Sequence, residues 1–513
     1  MRQPALGWLW DNIEAFAVAI AMALVIRHYC IEAFRIPTGS MMPTLRGDDG
    51  VRGTGGDRIL VDKTSWEWRA PRRFEVAVFR YPLNTNKNFI KRIAGLPGEW
   101  LRLADGDVWT SADAGKSWAI ARKPAGARRS LFFPYWPRPV DDRDAYEGIT
   151  CWECTAACSA KGPGRFEFDA SAGDEGRMLF LPRVLPYSDV DRDFAHSRRG
   201  GNGQGAGRSV VAGDVRLSFR CDVRKAGTLE LHLVEHGRRH RLVLGARSSF
   251  AEIGGPAPHR IPLETRLEAG GSLDVSFANV DDTLVVELPD DGLLEIPFPD
   301  PETEPPTRAT AAAEPEWGVY EISVRGRGFS GALTEVSIDR DIYYDAFPEG
   351  GFRTNYGDGG ERDLRSPSGD GESSAAEVRE WRIPEDCYFM LGDNTSSSKD
   401  SRAWRISQAL LSDGTLLEWE PGGTDDSDRR PEMDNGQAGL PAGSGPMGQI
   451  LRLAADVDGL VRYFPAAAVT DRRNDVPKHF VPKSHLVGRA FAVFWPIHLP
   501  RISPGPTRVK LIR

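Results

Sequence analysis

The chain is poor in cysteine. Six in 513 residues cannot staple a small disulfide scaffold, and a chain this long does not need one. It also lacks a long basic run. Its 65 Lys and Arg against 73 Asp and Glu leave a net charge of −8, which argues against nucleic acid as a partner. No fixed-period repeat is evident, which sets aside solenoids and propellers. Histidine is scarce, at nine residues. A hydrophobic content of 40% with 27% charge excludes wholesale disorder and allows roughly three packed domains. Turn formers are plentiful: 54 Gly and 37 Pro favour a β-rich architecture with many loops.

One apolar run stands out. Ala15 to Ile26 (AFAVAIAMALVI) spans about 18 Å as a helix, against about 30 Å of bilayer hydrocarbon. Extending it to Trp8 or to Phe34 reaches bilayer length, at the cost of including Asp11 and Glu14, or Arg27, His28 and Glu32. Trp8 and Trp10 suit one interface, Tyr29 and Phe34 the other. A buried helix of a soluble protein would carry the same run. A cleaved signal peptide fits worse, because the start is barely basic and no small-x-small site precedes IEAFRIP. The preferred reading is a retained single-pass anchor whose end charges snorkel. Arg2 on one side, with Arg27 and Arg35 on the other, leaves its orientation open by charge.

Hydrophilic stretches mark seams at 196–209, 300–316, 348–377 and 420–448. Between them apolar residues alternate with period two: Val215, Leu217, Phe219 and Cys221; Leu229, Leu231 and Leu233; Leu273, Val275 and Phe277; Leu284, Val286 and Leu288. With polar turns such as Asn279 to Asp282 between them, they predict an antiparallel sandwich at about 208–344.

Four short runs carry chemistry. They are FRIPTGSMMPTL from Phe34, DRILVDK from Asp57, NFIKRIAGLPGE from Asn88 and YFMLGDNTSSSKDSR from Tyr388. A serine hydroxyl is a poor nucleophile until a base takes its proton, and none of these runs contains a histidine. A lysine can serve if burial brings its pKa from about 10.4 toward neutral. Lys91 is flanked by Phe89, Ile90, Ile93 and Leu96. Strand alternation points Phe89, Lys91 and Ile93 to one face and Arg92 to the other. By itself Lys91 would read as a solvated strand lysine, and Ser40, between Pro37 and Pro43, as a turn serine.

Together these runs, in this order, resemble the motifs of type I signal peptidases, membrane-bound Ser/Lys endopeptidases of peptidase family S26. A tail, VPKSHLVGRAF from Val481 with Phe494 to Pro496, matches as well. The resemblance implies Ser40 as nucleophile and Lys91 as general base. It implies Ser398 as the residue orienting that lysine, with the Thr38 hydroxyl and the Ser40 backbone N–H as oxyanion donors. Asp400 with Arg402 would brace the site, and Asp393 and Asn394 would shape its loop without moving protons. Ile36, Met41, Leu45 and Ile90 would line shallow pockets selecting small side chains, although each suits ordinary core packing. The implied substrates are signal peptides of exported preproteins, bound as an added strand and cut after a small-x-small motif through an acyl-enzyme. The implied setting is the cell (cytoplasmic or inner) membrane, with the catalytic domain extracytoplasmic. The bilayer and the translocation machinery are candidate partners; no cofactor and no metal are implied.

The fold class expected is mainly β: an N-terminal transmembrane helix, an antiparallel β signal-peptidase core, and an inserted β-sandwich of jelly-roll or lectin-like form. The resemblance divides the chain into an anchor at 1–34, core at 35–104, an insertion at 105–380, core at 381–404, a second, loop-rich insertion at 405–479, and core at 480–513. The sandwich's closing strands, from Gly318 to Tyr344, weakly resemble a lectin-like jelly roll, and a structural or docking role is preferred over sugar binding.

Three patterns are weighed and set aside. His232-Leu-Val-Glu-His236 fits a zinc-peptidase motif only on a helix; on a strand the two rings stand about 13 Å apart. Cys151, Cys154 and Cys158 lack a fourth metal ligand, so a disulfide among these, Cys221 or Cys387 is the stronger reading. Asp189, Asp191 and Asp193 begin like a calcium loop, but position twelve is Gly200. Two other functions compete. A soluble self-cleaving Ser/Lys repressor would begin with a DNA-binding helix-turn-helix rather than an apolar helix. A membrane-tethered sandwich-bearing binding protein with a vestigial peptidase core would not need Ser40, Lys91 and Ser398 together.

Overall fold

The computed structural model describes residues 5–47, 56–136, 151–170, 174–181, 184, 212–235, 237–255, 257–299, 320–346, 379–420, 450–453, 457, 462–465, 468–495 and 509–512. They form two compact units, residues 5–99 with 382–512, and residues 100–346 with 379–381. The protein is mainly β, as expected. The hydrophilic seams, apart from Glu420, and the Asp189–Asp193 run lie outside the described residues, as does His236.

Helix α1 (Ala5–Val25) has 21 residues and continues through one wide π-type turn, Ile26–Cys30. At 1.5 Å per residue α1 is about 32 Å long, enough to cross the hydrocarbon. Asn12–Cys30 has a mean hydropathy of 1.6 and none of it is buried. A soluble core helix would hide such a surface; Phe16, Met22 and Leu24 are all exposed.

The first unit is built on one antiparallel sheet. Its strands are β1 (Ile31–Arg35), β2 (Arg58–Asp62), β3 (Val76–Tyr81), β4 (Asn84–Gly95), β5 (Cys387–Leu391), β6 (Phe480–Pro482), β7 (Leu486–Trp495) and β8 (Lys510–Leu511). They run in the order β1-β2-β7-β3-β4-β5-β6, with β8 on β7. Period-two alternation splits β3 between two cores. Val76 and Val78 pack with Ile36, Met41, Leu45, Ile59 and Val493. Ala77 and Phe79 pack with Ile93, Met390, Trp404 and Val481 on the other face. A strand with both faces covered must be apolar, which is why β3 opens VAVF before the exposed Arg80. Between Arg405 and Pro477 the chain is less loop-rich than expected: Arg405–Leu411, Leu416–Trp419 and Val469–Pro477 form a three-stranded sheet. The large excursion leaves and rejoins this unit at one place. The Ile383 N–H donates to Glu99 O at 2.9 Å, and the Gly98 N–H to Ile383 O at 3.2 Å.

The second unit is a sandwich. Its eight-stranded sheet runs Cys158–Gly162, Arg165–Asp169, Ser330–Arg340, Val215–Lys225, Ser272–Val280, Thr283–Leu288, Gly292–Pro297, with Phe133–Trp136 also on Ser330–Arg340. The seven-stranded sheet runs His259–Leu263, Ser249–Ile253, Arg238–Gly245, Thr228–Glu235, Glu321–Arg327, Glu175–Phe180, Trp152–Cys154. All four alternating segments read from the sequence are strands here, and their apolar sets share one core. The sandwich also takes five strands from 133–180, ahead of the expected start near 208. These are short, three to six residues, and turn-interrupted, so their alternation is weak until the sheets assemble. His232 lies on a strand, as required for setting zinc aside. No disulfide joins any of the six cysteines, so the expected disulfide is not formed in this structure.

Beside this core lies a buried charge cluster. Lys123, 2% exposed, pairs with Asp281 and, at 2.6 Å, with Asp341. Burial opposes its charge, but Asp281, Asp341, Asp107 and Asp214 hold its pKa well above the usual value. Breaking a buried pair strands the remaining charge, typically at 3–5 kcal/mol. Lys123→Met is therefore expected to destabilise the protein to urea by about 3 kcal/mol. Adding Asp281→Asn is expected to recover part of that loss; equal stability of Lys123→Met and the parent would contradict the account.

Candidate active site

Ser40 sits on a tight 3-10 turn, Gly39–Met41, directly after β1. Two glycines let the chain close around it. A Cβ on Gly47 would come within 2.3 Å of the Thr38 backbone carbon. One on Gly392 would lie 2.0 Å from Ser398 Oγ and 2.5 Å from Ser40 O. Ser40 O and Ser398 Oγ thus flank one point that only glycine leaves open. Asn394 ties the turn down, its N–H donating to Ser40 O at 3.2 Å and its Nδ2 to Gly39 O at 3.1 Å.

Lys91 enters from the middle of β4, opposite Ala77 of β3. Its Nζ donates to Ser40 Oγ. The side chain is 3% exposed, with Nζ 6.0 Å from the Phe89 ring centre. Burial lowers its pKa from 10.5 to about 8; Asp400 and Asp393 oppose the shift and Arg402 aids it. The displacement amounts to roughly 3 kcal/mol in favour of the neutral amine. The Thr38 hydroxyl lies 3.5 Å from Ser40 Oγ, on an exposed residue.

Two arginine–aspartate pairs flank the amine. Asp400 is buried, which alone would raise its pKa, yet Arg402 and the Gly392 N–H hold it below the ordinary range. Arg402 grips it through Nε at 2.8 Å and Nη2 at 2.7 Å, and also donates to Thr395 O at 3.0 Å. Asp393 receives Arg92 Nε at 2.8 Å and Nη2 at 2.6 Å, with both side chains fully buried; Thr44 donates to the same carboxylate. Trp404, just beyond, is fully buried against Tyr81, Phe79 and Phe89, which pins the loop from behind.

The structure therefore brings Ser40, Lys91, Thr38, Asp393, Asp400 and Arg402 into one small region. Ser398 is there too, fully buried, but its hydroxyl has no hydrogen-bond partner and is not bonded to Lys91. Of the residues expected to line pockets, Ile36, Met41 and Leu45 are 2%, 0% and 0% exposed inside one core. Only Ile90 keeps partial exposure. Two contributors escaped the sequence reading. Arg92 was read only as the outward neighbour of Lys91, and its partner Asp393 lies 301 positions away. His479 Nδ1 lies 2.5 Å from Ser401 O, so it must be the protonated nitrogen there. No local signal marks it.

A family model described as signal peptidase, peptidase S26, matches residues 9–127 and 353–416. Over these stretches the chain is similar to that peptidase class. Within the class, the relatives are type I signal peptidases. Signal peptidase I of Pseudomonas fluorescens is 41% identical over 93 residues, 17% of this chain and 33% of that protein. A probable signal peptidase I-2 of Synechocystis sp. is 33% identical over 144 residues, 27% of this chain and 59% of that one. The chain thus spans between a third and three-fifths of these relatives' length. Among solved structures, the carbohydrate binding module CBM66 from Bacillus subtilis aligns at a TM-score of 0.24 and 7% identity, over 37% of this chain and 97% of that one. Chicken galectin 2 aligns at 0.17 and 10%, over 24% and 88%. Likenesses this slight say nothing about a ligand.

If Arg402 balances Asp400, Arg402→Met must leave a carboxylate that draws a proton back to Lys91. The Lys91 titration, followed by the NMR signal of its labelled ε-carbon, is expected to move upward from about 8 by roughly a unit or more. A downward or absent shift would remove Arg402 from the account.

Proposed function

We propose that the chain is a membrane-anchored serine endopeptidase that removes N-terminal signal peptides from exported preproteins, with Ser40 and Lys91 as its catalytic pair. The observation that carries the proposal is the buried Lys91 amine on the Ser40 hydroxyl. The neutral amine takes the Ser40 proton as Oγ attacks the scissile carbonyl. The oxyanion is met by the Ser40 N–H and the Thr38 hydroxyl, donors typically worth about 3 kcal/mol each in the transition state. Lys91 then protonates the leaving amine, and water activated by the same lysine releases the acyl-enzyme.

Substrate selection follows from the packed floor. Ile36, Met41 and Leu45 are closed into the core, so they act as the rigid base of shallow pockets while Ile90 supplies contact surface. A base that cannot give way penalises large side chains by overpacking, which suits small residues at the first and third positions before the cut. The α1 helix places the serine near a bilayer from which such substrates emerge, raising effective concentration. We place the catalytic unit on the extracytoplasmic side, where the translocation machinery delivers preproteins, and read residues 100–381 as an insertion into it.

Ser40→Ala and Lys91→Ala are each expected to abolish cleavage of a preprotein in protein that remains folded. Near-normal turnover by Lys91→Ala would end the proposal. Because the base must be neutral, cleavage by the parent is expected to rise with pH through a midpoint near 8 and to fall about tenfold per unit below it. A rate flat between pH 6 and 9 would mean that another group accepts the proton. Since Glu99 and Ile383 already pair, replacing residues 100–381 by a short turn is expected to leave cutting of a short peptide substrate within a few-fold of the parent. A folded deletion variant without activity would place the sandwich in the catalytic machinery.

A further inference from the structure

We propose that Cys154 and Cys158 are a dithiol pair that is oxidised by an external disulfide, and that the resulting bond staples together the edges of the two sandwich sheets. Cys154 ends the outermost strand of the seven-stranded sheet, Trp152–Cys154. Cys158 begins the outermost strand of the eight-stranded sheet, Cys158–Gly162. The chain crosses between the sheets in the three residues separating them. That crossing is fixed at several points. The Cys158 N–H donates to Thr155 O, the Thr155 N–H to Arg177 O, and the Asp169 N–H to Ala157 O, each at 2.9 Å. The two sulfurs are thereby held 3.5 Å apart, with the Cys158 thiol donating to Cys154. A disulfide spans about 2.05 Å, so closure asks for about 1.5 Å, within reach of side-chain rotation on a fixed backbone.

The pair is asymmetric in the way thiol–disulfide exchange needs. Cys154 is half-buried and so accessible, and the hydrogen bond from Cys158 favours its thiolate. Cys158, 5% exposed, is shielded from a bulky reagent but touches its partner. The Cys154 thiolate attacks one sulfur of the external disulfide and expels the other as a thiolate, which takes a proton. Cys158, deprotonated as the second step begins, attacks the Cys154 sulfur of the mixed disulfide and releases the second external thiol. The protein loses two protons and two electrons, and the external disulfide gains them. The bond also fixes one wall of a cavity of about 480 Å³, where Ala156, Ala157 and Cys158 face Lys161, Arg165 and Arg224.

The test uses the full chain, reduced, then incubated with glutathione disulfide, denatured, and counted for thiols by maleimide mass tagging. The expected result is loss of two of the six thiols, a mass about 2 Da lower and no retained glutathione. Cys151→Ser should show the same loss of two. Cys158→Ser should trap a glutathione adduct on Cys154, and Cys154→Ser should keep all its remaining thiols. Retention of all six thiols by the parent, a stable glutathione adduct on the parent, or a bridge persisting in Cys154→Ser would each overturn the proposal. No cleavage is measured, so the outcome is independent of the peptidase reading.

Discussion

The buried Lys91 amine held against the Ser40 hydroxyl is the contact on which the proposed site depends. Burial moves Lys91 to about 8, a preference of roughly 3 kcal/mol. Two buried carboxylates, Asp400 and Asp393, both draw the amine back toward its charge, and burial outweighs them. The structure answers by giving each aspartate its own guanidinium, Arg402 and Arg92, in two-pronged geometry. Arg402 also lowers the lysine's pKa directly, and desolvation prevails over both carboxylates.

The same arrangement explains how so small a site survives such long excursions of chain. The sheet draws β1 to β4 from one end of the sequence and β5 to β8 from the other. Lys91 on β4 and the Gly392–Arg402 loop after β5 meet because β4 and β5 are hydrogen-bonded neighbours, with Ile93 opposite Met390 and Arg92 opposite Leu391. What lies between those strands in sequence is free to vary as long as its ends come together, and the Glu99–Ile383 pairing brings them together. Loop closure costs grow only with the logarithm of length, so a folded insert adds little to the cost of a plain loop.

Legibility in the sequence followed the range of the interactions. Local periodicity identified Val215–Lys225, Thr228–Glu235, Ser272–Val280 and Thr283–Leu288 as strands, because two-faced burial leaves its trace within a few residues. The apolar setting of Lys91 was visible for the same reason. Pairings between distant residues were not. Nothing near Arg92 announces Asp393, and nothing near His479 announces the Ser401 carbonyl. The short strands of 133–180 were invisible because three to six residues carry too little alternation to stand out without a partner sheet. Ile36, Met41 and Leu45 mark a general ambiguity. Apolar residues next to a nucleophile look alike whether they face a substrate or the core, and here the core holds all three.

Ser398 is the residue whose state says most about how such a site would turn over. Its hydroxyl is fully buried and has no hydrogen-bond partner among the described residues. The resting lysine is occupied with Ser40. On the proposed mechanism, proton transfer changes what the amine can do: it becomes an ammonium with three donors just as Ser40 Oγ leaves it for the substrate carbon. A waiting hydroxyl then gains its first partner when charge appears on the nitrogen. An interaction absent at rest and present in the transition state lowers the barrier, whereas one present in both would not. On the proposed mechanism Ser398 would therefore meet the lysine only after the proton has moved. The close fit of Gly392, which leaves no room for a Cβ beside that hydroxyl, keeps Ser398 near the place where it is needed.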